Sequence, residues 1–127
     1  MDVLGFRDYC LSLPLTEEST PFDEYTLVYK IGGKMYAYAN ILGFSRIALK
    51  CDPEEAVLLR EKYIEITPAW HSNKRHWIDV STIGMLSDSF IKEQIRKSYS
   101  LVIQKNVSPK ALCREILDVI KKEGLPQ

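Results

Sequence analysis

A chain of 127 residues is long enough for one domain with a real core, and 46% hydrophobic with 27% charged residues is ordinary for a globular protein in water. Seventeen basic residues against seventeen acidic ones exclude a general polyanion binder, so any role on nucleic acid has to rest on a local patch. Three scattered cysteines, Cys10, Cys51 and Cys113, make no disulfide framework and fit a reducing compartment. No cationic start leads into an apolar run, and no apolar stretch nears the ~20 residues that a bilayer requires. The expected location is the cytoplasm, without membrane contact.

Asp2 is placed to cap a first helix whose Val3, Phe6, Cys10 and Leu13 recur at helical spacing, and Pro14 ends it. Leu15 to Glu24, acidic and rich in Thr, Ser and Pro, reads as a loop. Thr26 to Ile31 and Lys34 to Ala39 read as strands joined by a Gly32-Gly33 turn. A two-residue turn sets Ile31 against Lys34, Tyr29 against Tyr36 and Leu27 against Tyr38, all on the core side. Val28, Lys30, Met35 and Ala37 then share an open face. Arg46 to Lys50 is a third strand, with Ile47 and Leu49 inward and Arg46, Ala48 and Lys50 on the open face.

Asp52-Pro53-Glu54-Glu55 is a strong helix start: Asp52 caps, Pro53 takes the first turn and Glu55 completes a capping box. That helix runs to about Lys62, with Ala56, Leu59 and Tyr63 inward. Ile64 to Ala69 and His76 to Ser81 read as two more strands, the second with Ile78 and Val80 inward and Trp77 and Asp79 on the open side. Ser87 caps a long helix to about Lys105, on which Ile91, Ile95, Tyr99 and Val102 recur and Lys92, Arg96 and Lys97 form a solvated face. Ser108-Pro109 opens a last helix, with Leu112, Ile116 and Val119 inward and Gly124 as its stop. The order α-β-β-β-α-β-β-α plus a C-terminal helix predicts an α+β, two-layer fold: an antiparallel sheet of about five strands with helices on one face. Residues 1–107 form its body, and 108–127 a helix packed on or extending it.

The most biased stretch is Thr67 to Trp77. It holds both tryptophans (Trp70, Trp77), both histidines (His71, His76) and the adjacent cations Lys74 and Arg75, and it contains no acid. Two readings stand side by side, a strand-turn-strand with tryptophans as core anchors and a binding surface with tryptophans for stacking. They agree if one Trp faces in and the other out.

Several runs resemble the MmcQ/YjbR family. They are Leu13-Pro14, Thr16-Glu17, Pro21-Phe22, Thr26 to Met35, Leu49 to Glu54, Thr67 to Trp77 and Ser98 to Val102, together covering about Leu4 to Lys105. The resemblance implies a compact α+β fold similar to type III secretion chaperones, and DNA binding through a double-wing arrangement of hairpins. Trp70 stands where the family usually has Tyr. Gln104 to Lys110 departs from the usual Leu-Pro-Lys run, so the final helix is read as additional.

Three chemistries compete. DNA binding would use Lys30, Arg46, Lys50, Trp70, His71, Asn73, Lys74, Arg75, His76 and Trp77, with cations on phosphates and Trp77 stacking; zero net charge makes it weak and salt-sensitive. A protein partner or a homodimer would use Val28, Met35, Ala37, Ala48 and Trp77 as an apolar patch, an adaptor or chaperone-like role. An enzyme is disfavoured. His71 and His76 lack a metal-ligand spacing and a third ligand, and Gly32-Gly33 lacks the helix a phosphate loop needs, so neither a metal nor a cofactor is expected. His71 and Asn73 are read as holding the turn.

Overall fold

A computed structural model describes residues 1–127. Ten elements follow in chain order: α1 (Val3–Ser12), β1 (Glu17–Ser19), β2 (Thr26–Ile31), β3 (Lys34–Asn40), β4 (Arg46–Lys50), α2 (Pro53–Lys62), β5 (Ile66–Pro68), β6 (Trp77–Ser81), α3 (Asp88–Lys105) and α4 (Lys110–Glu123). The six strands form one antiparallel sheet in the order β1-β2-β3-β4-β6-β5. The fold is α+β, as its element order implies. Asp2, Asp52 and Ser87 cap their helices through backbone N–H groups, as their sequence positions predict. The Glu55 carboxylate does not turn back on its own helix but takes the Lys97 ammonium at 2.8 Å.

The core lies between one face of the sheet and α3, with α1 and α4 beside it. Tyr29, Tyr36, Ile47, Leu49, Ile78 and Val80 meet Ile91, Ile95, Tyr99, Val102 and Ile103 there, all fully buried or nearly so. Phe6 stands edge-on to Tyr29, and Tyr36 edge-on to Tyr99, each at 5.3 Å between ring centroids. On α4 the inward residues are Leu112, Ile116 and Ile120, so Ile120 takes the place expected of Val119. Arg96, expected in solvent, donates instead to the Tyr9 hydroxyl and to the Pro126 carbonyl.

Buried phenols need partners, and here one short segment supplies them. The Tyr36 hydroxyl donates to Cys10 O and bonds Thr16 Oγ1, Tyr99 donates to Pro14 O, and Tyr29 donates to a Glu18 carboxylate oxygen that also receives Arg7. These bonds draw residues 14–18 onto the sheet and order the extra strand β1 on the edge of β2. The expectation of a loop from Leu15 to Glu24 fails here because the pairing is tertiary: three residues without apolar alternation leave no local strand signal.

The hairpin register also departs from expectation. Gly32 and Gly33 have positive φ, as a turn with two left-handed central residues requires. A Cβ on Gly32 would lie 2.9 Å from Val107 Cγ1 and 3.2 Å from Ile116 Cδ1, whereas one on Gly33 would meet nothing within 4 Å. Pairing runs Ile31↔Lys34 and Lys30↔Met35, then slips to Tyr29↔Ala37, Val28↔Tyr38 and Leu27↔Ala39. Strand β3 thus carries one extra residue, a bulge at Tyr36-Ala37. Strict alternation would put Tyr36 and Tyr38 together beneath α3, where Tyr29 and Tyr99 already fill the space. The bulge keeps Tyr36 in, brings Ala37 into the core and sends Tyr38 to the outer face.

A bulge leaves ladder groups without partners. Ser98, fully buried on α3, repairs the gap: its Oγ donates to Tyr36 O at 2.6 Å and accepts from Lys50 N at 2.9 Å. Ser98→Ala removes both bonds and strands two backbone groups against apolar neighbours. It is expected to destabilise the fold by about 2–3 kcal/mol, read as a lowered midpoint in urea unfolding; a change below about 0.5 kcal/mol would show that the bulge closes by itself.

Candidate functional site

The second face of the sheet is not open. The β5–β6 connection, residues 69–76, folds across it and covers Trp77, Ala48 and Ala69 as a second small core, with Met35 and Tyr38 packed at its margin. Trp77 is only 8% exposed, and Val28 and Ala37 are fully buried. Two expectations are overturned by this. Trp77 is unavailable for stacking, since Tyr38 lies against its ring at 5.6 Å and Lys50 Nζ stands 5.8 Å from it. The apolar patch expected for a protein partner is closed too, because of its five residues only Met35 keeps partial exposure.

Trp70 takes the outward role, 67% exposed. One tryptophan anchors the small core and the other presents its face to solvent. The loop that carries Trp70 is tied down at both ends. Trp70 N donates to Asp79 Oδ2 at 3.0 Å. Asn73 closes the turn, its side chain accepting from Arg75 N and its carbonyl from His76 N and Trp77 N. Lys74 Nζ donates to Ala69 O, and Arg60 on α2 reaches Lys74 O. Asn73 therefore holds the turn, as its type suggests, whereas His71 makes no such bond and stands edge-on to Trp70 at 6.2 Å. His76 lies half-buried, its carbonyl accepting from Cys51 N.

The ten residues named from sequence are not one surface. Trp70, His71, Lys74 and Arg75 cluster on the loop; Asn73 and His76 shape it; Trp77 lies beneath it. Arg46 and Lys50 stand at opposite ends of β4, and Lys30 sits near the hairpin turn, opposite Glu17 of β1. Lys30 and Lys50 are separated from Arg46 by the length of the strand.

Beside the loop lies a cleft of about 730 Å³, bounded by the β1–β2, β3–β4 and β5–β6 connections. Phe22 and Leu42 stand on its rim, Met35 and Tyr38 on its floor, and Arg46, Asp79 and His71 line it. The Tyr38 hydroxyl hydrogen-bonds Ser72 Oγ. Asp79 is 5% exposed, and Arg46 Nε lies 3.7 Å from its Oδ2. Burial pushes the Asp79 carboxyl above its ordinary value, against the opposing pull of the Trp70 N–H and of Arg46, His71 and Lys74. The alternation of this strand places Asp79 on the outer face but does not disclose the cleft. The available signal was a carboxylate inside the apolar strand Trp77-Ile78-Asp79-Val80, where a buried acid must find partners. No group of three His, Cys, Asp or Glu side chains is placed to hold a metal ion. No helix is long and apolar enough to cross a membrane.

A family model described as YjbR matches residues 11–101, a span that includes both the loop and the cleft. The chain belongs to the YjbR family. The uncharacterized protein YbdF of Escherichia coli O157:H7 is 36% identical over 78% of this chain and 88% of its own length. The uncharacterized protein YjbR of E. coli K12 is 30% identical over 81% and 88%. Among solved structures, the crystal structure of Deinococcus radiodurans protein DR2400, with a DUF419 domain, superposes with a TM-score of 0.81 at 36% identity. It covers 98% of this chain and 89% of its own, so the match to this YjbR-family fold takes in α4. A Pseudomonas syringae protein gives 0.68 at 30% identity over 80% of this chain.

The two tryptophans differ enough to be separated by mutation. Trp77→Ala should cost about 3–5 kcal/mol and Trp70→Ala less than about 0.5 kcal/mol in chemical denaturation. Equal losses would contradict the opposed orientations. A second expectation concerns Asp79. Its folded carboxyl titrates above the unfolded value, so its contribution to stability is whole at low pH and is lost as pH rises through the folded value. The stability of the wild type relative to Asp79→Asn should therefore fall as pH rises above the ordinary carboxylate value of about 4. Denaturation at a series of pH values measures it, and a rising difference would mean that Arg46 and the Trp70 N–H outweigh burial.

Proposed function

We propose that the chain is a non-enzymatic DNA-binding domain that holds an unpaired strand through the residue 69–76 loop. Trp70 stacks on a base, and Arg75 and Lys74 contact the flanking phosphates. The observation that supports this most is the two-thirds exposure of Trp70 on a loop pinned by Asp79 and Asn73. An exposed indole on a fixed backbone loses little freedom on stacking, and every base offers it a face. In a duplex the bases are already stacked, so an aromatic ring on a surface loop favours single strands.

The cations fit a small footprint. Lys74 keeps donors beyond the one given to Ala69 O, and Arg75 makes no side-chain hydrogen bond within the chain. With zero formal net charge there is no broad field to add affinity, so the binding is weak and its salt sensitivity is that of a few phosphate contacts. Two phosphate contacts on a single strand correspond to a slope of log K against log salt of about −1.4.

Fluorescently labelled single-stranded and duplex DNA titrated at low and physiological salt tests the reading. Single strands should bind more tightly than duplex. Trp70→Ala should weaken single-strand binding about 5- to 160-fold, the range of one lost base stack. Arg75→Glu should weaken it for all sequences alike and flatten the salt slope by about 0.7. Binding unchanged in the folded Trp70→Ala protein, or absent at low salt, would reject the loop as a DNA site.

A further inference from the structure

The cleft beside the loop has a chemistry of its own. Two groups on its lining are only half used. Asp79 gives Oδ2 to Trp70 N, while its Oδ1 makes no hydrogen bond within the chain and is not among the buried polar atoms left without a partner, so it stays accessible from the cleft. Arg46 lies near Asp79 through Nε, and none of its guanidinium nitrogens donates a hydrogen bond within the chain. A carboxylate oxygen that keeps access to the cleft can accept from a donor arriving there. The guanidinium beside it asks for an acceptor. A negative and a positive group side by side nearly cancel. The pair therefore suits a neutral edge that offers a donor next to an acceptor, better than it suits an anion.

The walls add shape. Tyr38 and Met35 line it from the sheet, and the exposed Phe22 and Leu42 line it from the connections. Tyr38 cannot swing freely, because its ring rests on Trp77 and its hydroxyl bonds Ser72. The volume of about 730 Å³ lies within the usual range for sites that hold small organic molecules. A flat ring would rest on the floor with its polar edge turned to Asp79 and Arg46.

We propose that this cleft binds a nucleobase-like heterocycle, its N–H donating to Asp79 Oδ1 and the adjacent carbonyl or ring nitrogen accepting from Arg46. The edges of adenine, cytosine, guanine and uracil each carry such a neighbouring donor and acceptor. The ring arrives on a free nucleoside or as an unpaired base of a strand, and the two sources are separable by experiment. The proposal stands on Asp79, Arg46 and the cleft walls, so it does not require the loop reading.

Titrations of the ¹⁵N-labelled full chain with uridine, cytidine, adenosine and guanosine, followed by amide shifts, provide the test. Saturable shifts at Tyr38, Ser72 and Asp79 are expected. N3-methyluridine, which lacks the base donor, should bind at least about ten-fold more weakly than uridine. Asp79→Asn retains an oxygen for Trp70 N and turns an NH₂ to the cleft, replacing acceptor by donor; it should weaken binding by a similar factor while the remaining amide spectrum shows the fold intact. Arg46→Gln gives a second, independent loss. If nucleosides fail but short oligonucleotides shift the same three residues, and Asp79→Asn removes those shifts, the base of a strand is the ligand. Oligonucleotide binding confined to Trp70 and Arg75, unaffected by Asp79→Asn, would overturn the cleft proposal and leave the loop reading standing. No shifts from either probe would overturn it outright.

Discussion

The hydroxyl of Ser98 sits where the sheet has to absorb one residue too many. Strand β3 bulges at Tyr36-Ala37, and the Tyr36 carbonyl and the Lys50 amide are joined through that hydroxyl from α3. Without the bulge, Tyr36 and Tyr38 would share one face and crowd the space under the helix. With it, Tyr36 packs inward against Tyr99 and Tyr38 points outward against Trp77. The floor of the cleft and the seat of the loop therefore both follow from an irregularity in the core. A helix serine, not a strand residue, makes that irregularity tolerable, because a bulge exposes backbone groups that nothing in the adjoining strands can reach.

The same economy governs the edge of the sheet. Three buried tyrosines turn their hydroxyls toward residues 10–18, and the segment they capture becomes β1. A phenol brings apolar area and an obligatory hydrogen bond together, so its burial specifies where the neighbouring chain must run. On the outer face Asp79 plays the corresponding part for the residue 69–76 loop. One carboxylate oxygen fixes the Trp70 amide, and the cost of burying the charge is offset only in part by Arg46 and by that bond.

Helices, caps and the alternation of β4 and β6 were legible because each is written locally, in Asp2, Asp52 and Ser87 and in the pairs Ile47/Leu49 and Ile78/Val80. What was not legible arises from contacts between distant residues. Gly32-Gly33 announces a two-residue turn correctly, but alternation counted from it goes wrong after two pairs, since the bulge answers to crowding from Tyr29 and Tyr99. Strand β1 has no apolar period to find. The bias of Thr67 to Trp77 pointed to the right segment and could not say which tryptophan was buried, because a loop folding back over the sheet is invisible to a period-two pattern. The cleft combines three connections, each unremarkable when read alone.

Gly32 lies where the hairpin turn touches the C-terminal helix. The space its missing side chain leaves is filled by Val107 and Ile116, and its φ of +57° lies in the left-handed region. Its neighbour Gly33 meets only the second condition. Adjacent positions of one turn thus differ in mutational tolerance: asparagine, the residue that best accepts left-handed backbone after glycine, suits position 33 but is shut out of position 32 by Val107, just ahead of α4, and by Ile116 on it. The link into the last helix, together with that helix, in this way sets which residues a turn far earlier in the chain accepts.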